Sequence, residues 1–343
     1  ISSSWRSVSG LVPVIATAAH RNIRTNGNKR DTPQAGVRVA VYNITDHFSC
    51  APVDKPARPS TLKCSPMAPV RQPGTRALAG TSPPVPLRSA EGTPTTLESV
   101  ITAAQSLGVE LDATQQARFR RYRELIDLRS QQFNLTGAKT WDRIREDLFI
   151  RSLRILSPAG GGASTPDWFT GRRAIDVGTG AGIPGIVMKI VLPELRITLL
   201  DSVQKRTNFL REVVTELELE HVEVVTGRAE ELGQHPAHRE SYDIVTARGV
   251  ARLAELAELT IPFANLGGTV ILPKSAGSGD EVNEAAAAAE LLGAAPAITL
   301  EVDRPGNSPP DDMVYWMKIS PTPVEFPRRT GVPHRSPLIE PKA

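Results

Sequence analysis

No cysteine occurs after Cys64; the two in the chain, Cys50 and Cys64, both lie near the N-terminus. The body from residue 95 to 343 is thereby denied a disulfide framework, a cysteine-ligated zinc site and a cysteine nucleophile. No apolar run approaches the length needed to cross a bilayer, which makes a soluble intracellular protein the expectation. Acidic residues are scarce in one place only. Residues 1–94 hold twelve Lys or Arg against four Asp or Glu, and the rest of the chain holds 28 against 33, so the net charge of +3 hides a basic segment on a mildly acidic body. Twelve of the 29 prolines also fall there, among them Pro83, Pro84 and Pro86. Such a segment cannot bury enough apolar surface to offset the entropy of ordering it. Residues 1–94 are therefore expected to be a disordered, basic, proline-rich extension. Untranslated sequence read as protein, an organelle transit peptide and a flexible basic RNA-binding arm are the other three readings of an Arg- and Ser-rich, acid-poor stretch.

What the body does have is Ala174-Ile175-Asp176-Val177-Gly178-Thr179-Gly180-Ala181-Gly182-Ile183-Pro184-Gly185. Ala174 to Val177 reads as a short buried strand, the glycines as a turn able to take positive φ, and Ile183 to Leu192 as the following helix. Strand, glycine turn and helix N-terminus together make a site for a nucleotide-like ligand. Gly180 to Gly185 fits the dinucleotide pattern G-x-G-x-x-G, which points to NAD or FAD. The larger pattern, Asp-x-Gly-x-Gly-x-Gly, instead looks like the first motif of S-adenosylmethionine-dependent methyltransferases. A carboxylate on the strand can hold the cationic methionine end of that cofactor and repels a pyrophosphate.

Along the chain, Thr95 and Glu98 have capping-box spacing ahead of an amphipathic helix through Leu107, ended by Gly108. Asp112 and Gln115 repeat the signal before a longer helix on which Phe119, Tyr122, Leu125, Ile126 and Phe133 recur at helical spacing. Its other face carries Arg118, Arg120, Arg121, Arg123 and Arg129, read as a solvated face with pairs to Glu124 and Asp127, or else as an RNA contact. Trp141 to Leu156 makes a third helix, and residues 95–160 are expected to form an N-terminal helical cap. From Arg172 strands and helices alternate, which calls for a mostly parallel, doubly wound sheet in residues 161–343. Its strands are Ala174 to Val177, Ile197 to Leu200, Val222 to Val225, Tyr242 to Ala247, Gly268 to Lys274, Ile298 to Val302 and an antiparallel Met313 to Ile319, seven in all. Asp201, ending the second, is placed to accept ribose hydroxyls.

These residues resemble the bacterial small-subunit (16S) ribosomal RNA guanine-N7 methyltransferases, the glucose-inhibited division protein B family, over roughly residues 97 to 338. The resemblance rests on Asn134-Leu135-Thr136, Asp176 to Gly185, Leu199-Leu200-Asp201-Ser202, Gly227-Arg228-Ala229-Glu230, Ala247-Arg248 and Pro327-Arg328-Arg329 with Gly331, Pro333 and Pro337-Leu338. It implies a class I, Rossmann-like fold, S-adenosyl-L-methionine as cofactor, and cofactor contacts at Gly178, Gly180, Ile183, Asp201, Ala229, Glu230 and Arg248. It also implies a cytoplasmic enzyme acting on small-subunit ribosomal RNA or a ribosomal particle. One departure concerns the cap: where the family shows a His followed by Asp-Ser-Leu, this chain has Asp147 and Arg151-Ser152-Leu153.

The chemistry agrees with what is missing. Guanine N7 has an available lone pair at neutral pH, so no general base, and no catalytic residue beyond those that position the reactants, is expected. The lack of a body cysteine argues against attack on a pyrimidine C5, and the fourth strand ends Thr246-Ala247-Arg248 rather than in the Asn/Asp-Pro-Pro-aromatic motif of amino-directed enzymes. Lys274, Arg328, Arg329 and Arg335 are candidates for phosphate contacts. No metal is expected, and the enzyme is read as a monomer. A nucleotide-binding oxidoreductase using NAD and a non-catalytic RNA-binding protein are the rival readings.

Overall fold

The computed structural model describes residues 97–156, 165–302 and 310–339, all within one compact unit. The N-terminal extension, the Thr95 cap, and the loops at 157–164 and 303–309 lie outside the described residues. The chain opens with α1 (Glu98–Ser106), whose N-cap is Leu97 with no side-chain hydrogen bond, and which stops at Gly108 with φ +76°. Then α2 (Ala113–Ser130) starts on the expected reciprocal cap: Asp112 Oδ1 accepts from Gln115 N at 2.7 Å, and Gln115 Oε1 accepts from Asp112 N at 2.9 Å. Phe133 falls beyond this helix. The expected third helix is a composite. It runs α3 (Trp141–Arg143), a π-helical turn (Ile144–Ile150), α4 (Arg151–Leu153) and a 3-10 turn (Arg154–Leu156). Such π turns are rare, widen the helix by one residue, and recur at functional sites.

After α5 (Thr165–Phe169) the sheet begins: β1 (Arg173–Val177), α6 (Gly185–Val191), β2 (Arg196–Asp201), α7 (Gln204–Glu216), β3 (Val222–Thr226), α8 (Ala229–Leu232), β4 (Tyr242–Thr246), α9 (Leu253–Thr260), β5 (Ala264–Ser275), α10 (Gly279–Leu291), β6 (Ile298–Val302), β7 (Asp311–Met317) and α11 (Val332–Arg335). The order is β3-β2-β1-β4-β5-β7-β6, parallel except that β7 runs antiparallel between β5 and β6. This is the doubly wound, seven-stranded, mostly parallel sheet expected. Alternate residues feed two cores because both faces are covered. On one side Ala174, Ile244, Ile271 and Tyr315 join α6, α7 and the cap residues Phe119, Tyr122 and Phe149; on the other, Ile175, Val245, Val270 and Trp316 meet α9 and α10. The helical cap and one face of the sheet thus share a continuous core.

The arginine face of α2 differs from the expectation. The pairs Arg121–Glu124 and Arg123–Asp127 do form. Yet Arg118 Nε donates to Leu217 O at 2.8 Å, Arg121 pairs with Glu216 at 2.8 Å, and Arg129 with Glu212 at 2.6 Å. The face docks on the C-terminal half of α7, where exposed carbonyls and carboxylates attract cations.

Candidate cofactor-binding site

The strand order reverses between β1 and β4, and the crevice beyond the carboxyl ends of such strands is where a doubly wound sheet binds ligands. The register brings the expected residues to that edge: Val177 lies beside Leu200, Asp201 beside Thr226, and Asp176 beside Thr246. The turn after β1, the acidic end of β2, Ala229 and Glu230 opening α8, and Arg248 after β4 therefore line one rim. Lys274, one residue before the end of β5, lies toward the same rim, where Glu281 holds its ammonium at 2.7 Å.

Three glycines of the turn have positive φ: Gly178 (+71°), Gly180 (+61°) and Gly182 (+94°). They are required for different reasons. A Cβ on Gly178 would lie 2.6 Å from Val250 Cγ2, in the loop after β4, and one on Gly182 2.9 Å from Tyr122 Oη. A Cβ on Gly180 would meet nothing nearer than Gly178 O at 4.0 Å. Gly180 is thus the open face of the turn, while Ile183 is buried behind it.

The turn's amides are largely spent within the protein. Gly178 N and Thr179 N donate to Leu200 O at 2.8 and 3.0 Å, Gly182 N and Ile183 N to Thr179 O at 2.9 and 3.0 Å, and Gly180 N to Asp201 Oδ2 at 2.9 Å. Asp201 Oδ1 also accepts from Val203 N at 2.8 Å, and Arg206 stands 3.4 Å from Oδ2. A pyrophosphate would find few donors here and two carboxylates.

The second carboxylate, Asp176, is fully buried. Its Oδ2 accepts from Thr179 Oγ1 at 2.6 Å and Gly185 N at 2.8 Å, whereas its Oδ1 has no hydrogen-bond partner among the described residues. Burial raises its pKa to about 7, against the pull of those two donors and of Arg248, and nearby Asp201 adds to the rise. A folded-state pKa above the unfolded value of 3.8 confers stability that is complete below about pH 4 and is lost as pH rises through 7. Asp176→Asn, which cannot ionise, is therefore expected to melt higher than the parent at pH 8 and to lose most of that advantage by pH 5. Parallel melting curves across that range, with a constant gap, would show the carboxyl to be ionised throughout.

Arg248 turns toward the cap. Its Nη2 donates to Asp147 O and its Nη1 to Ser152 Oγ at 3.2 Å, and burial lowers its pKa to about 10. Beside it, Arg151 grips Asp311 of β7 through a two-point fork at 2.7 and 2.9 Å, and Arg154 meets the same carboxylate at 2.7 Å. That gives Arg151, one of the two residues at which the chain departs from the family pattern, a place: it ties the cap to the sheet. Glu230 Oε1 accepts from Gly331 N at 2.8 Å, which brings the C-terminal segment against α8. There Arg328 forks onto the fully buried Glu258 at 2.6 and 2.9 Å, while Arg329 is exposed beside a cavity of about 550 Å³ also lined by Glu230, Glu231 and Gln234. The structure thus gathers Gly178, Gly180, Ile183, Asp201, Ala229, Glu230 and Arg248 at one rim, and turns Arg328 and Lys274 onto carboxylates of their own. Sequence reasoning passed over Asp311, Arg154, Glu258 and the hydroxyl of Tyr122. A carboxylate doublet, Asp311-Asp312, opening an apolar strand was the one signal available for them.

Among the described residues no group of three or more His, Cys, Asp or Glu could hold a metal ion, and no helix is long and apolar enough to cross a membrane. The family model for GidB, rRNA small subunit methyltransferase G, matches residues 115–306. A curated relative from Roseiflexus sp. named Ribosomal RNA small subunit methyltransferase G is 39% identical over 242 residues, covering 71% of this chain and 100% of the relative. Another of that name, from Dehalococcoides mccartyi, is 35% identical over 244 residues with the same two coverages. With the family model spanning more than half of the chain and whole relatives matched end to end, the chain belongs to the GidB family of rRNA small subunit methyltransferases.

Proposed function

We propose that this enzyme transfers a methyl group from S-adenosyl-L-methionine to N7 of a guanine in small-subunit ribosomal RNA. The observation that carries the choice of cofactor is the buried Asp176 Oδ1, which has no hydrogen-bond partner among the described residues and lies beside a glycine turn five of whose amides already donate within the protein. A cationic amino-acid end fits that oxygen; a pyrophosphate does not, which sets aside the dinucleotide reading. When bound, S-adenosyl-L-methionine would supply a sulfonium methyl open to in-line attack by a ring-nitrogen lone pair, the new N–C bond forming as the S–C bond breaks, so that the sulfur keeps the bonding electrons as a neutral thioether and the guanine becomes cationic. The protein's share is positioning. Gly180 leaves space for close approach, Asp201 accepts ribose hydroxyls while holding the turn, Ala229 and Glu230 border the adenine, and Arg248 and Ile183 bound the methionine end. Ionisation of Asp176 makes cofactor affinity rise as pH passes through 7.

We assign residues 95–160 to a helical cap and 161–343 to the methyltransferase domain, acting as a cytoplasmic monomer, with residues 1–94 dispensable for both. Arg329 is offered as a contact to substrate phosphates, because it is exposed and no carboxylate holds it among the described residues. Guanine N7 lies on an edge that protein reaches in a loop or unstacked nucleotide but not in the deep, narrow major groove of A-form RNA, so the target is an accessible loop guanine. The test is to incubate the full chain and the 95–343 body with unmodified small-subunit ribosomal RNA and labelled cofactor. Borohydride reduction and aniline cleavage then cut at N7-methylguanosine. Both proteins are expected to yield one new cleavage site. Methyl incorporation without cleavage would remove N7 as the acceptor, and no incorporation would favour a non-catalytic RNA-binding role.

A further inference from the structure

Tyr122 lies on α2, in the cap, with no exposed surface, inside a cluster that is otherwise apolar. Its ring stacks on Phe149 at 5.5 Å and 17°, and Phe149 in turn meets Phe119 at 5.3 Å and Trp141 at 6.2 Å. A phenylalanine would fill that space equally well. Burying a hydroxyl costs free energy unless it is bonded, so the phenol's role resides in the hydrogen bond that it donates to Ala181 O at 2.6 Å. Ala181 is the middle residue between Gly180 and Gly182, and the absence of a side chain on Gly182 is what lets the hydroxyl in. Burial, and next the negative charge of Asp176, raise the phenol's pKa well above its ordinary value, so it remains a donor at any working pH.

The turn is thereby held from two sides. Asp201 takes Gly180 N from the sheet, and Tyr122 gives to Ala181 O from the cap. Phe149, against which Tyr122 stacks, belongs to the π turn that also carries Asp147, and the adjoining α4 carries Ser152; these two hold Arg248 at the end of β4. One aromatic contact therefore joins the two segments that flank the crevice. We propose that Tyr122 is a positioning residue of the cofactor site, fixing the glycine turn from the cap so that Gly180 presents its open face to the ligand. This rests on the turn being the S-adenosyl-L-methionine site.

The measurement is calorimetric binding of S-adenosylhomocysteine to the full chain, to Tyr122→Phe and to Leu125→Ala. Leu125 is also buried on α2 but makes no hydrogen bond to the turn, so its variant reports loss of cap stability alone. Expected is a roughly tenfold weaker Kd for Tyr122→Phe with little change in melting temperature, a KM for cofactor raised by a similar factor, and kcat at saturation within about twofold. Leu125→Ala is expected to melt lower and to keep the parental Kd at a temperature well below melting. An unchanged Kd for Tyr122→Phe, or equal weakening by both variants, overturns the positioning role and leaves the methyltransferase reading standing. Failure of the parent itself to bind overturns that reading, and this inference with it.

Discussion

Asp311→Ala is expected to cost the fold about 3–5 kcal/mol, the range found when one partner of a buried ion pair is removed. One carboxylate, 3% exposed, answers two guanidiniums, of which Arg154 is 7% and Arg151 20% exposed. Deleting it takes from two neighbouring guanidiniums the carboxylate that they share, one of them almost fully buried. For a body of this size that corresponds to a fall in melting temperature of about 6–20 °C, read by circular dichroism. Asp311→Asn keeps the shape without the charge and is expected to fall nearly as far, which separates charge from packing. A drop below about 2 °C would mean that the two arginines swing out to solvent and that the cap is anchored by its apolar core alone.

Asp201→Asn is expected to weaken cofactor binding by about 1–3 kcal/mol, through loss of a charged acceptor for the ribose hydroxyls. Asparagine can still accept from Gly180 N or Val203 N, so the fold should stand. Asp201→Ala removes the acceptor for both amides and is expected to loosen the turn as well, adding to the loss. Calorimetry with S-adenosylhomocysteine at fixed pH reads both. Equal, parental affinities in the two variants would place the ribose elsewhere.

The parts of this molecule that could be read from its sequence are those whose physics is local. The reciprocal cap joins Asp112 and Gln115 three positions apart, the glycine turn needs positive φ at fixed positions, and two-sided burial prints apolar strands such as Ile197 to Leu200. What escaped reading is non-local. Asp311 meets Arg151 and Arg154 across about 160 residues of chain, and the arginines of α2 meet Glu212 and Glu216 across more than 80. Nothing in Arg118 to Arg129 tells an exposed face from one laid on a neighbouring helix. The π turn has no compositional mark, and Tyr122 counted only as one more apolar position, its hydroxyl hidden by its ring.

A glycine turn that keeps five of its amides for itself has a bearing on which ligands the rim turns away. Adenosine is the common handle of many metabolites, most of them carrying phosphates. A nucleoside triphosphate or dinucleotide that offered its adenosine to this rim would push a chain of negative charge toward Asp201 and Asp176, with Gly178, Thr179, Gly180, Gly182 and Ile183 already donating elsewhere. On the proposed cofactor reading, the discrimination is built by exclusion: the site need not outbid abundant nucleotides by gripping S-adenosyl-L-methionine harder, and the demethylated product, which keeps the amino-acid end but not the sulfonium charge, is the expected competitor.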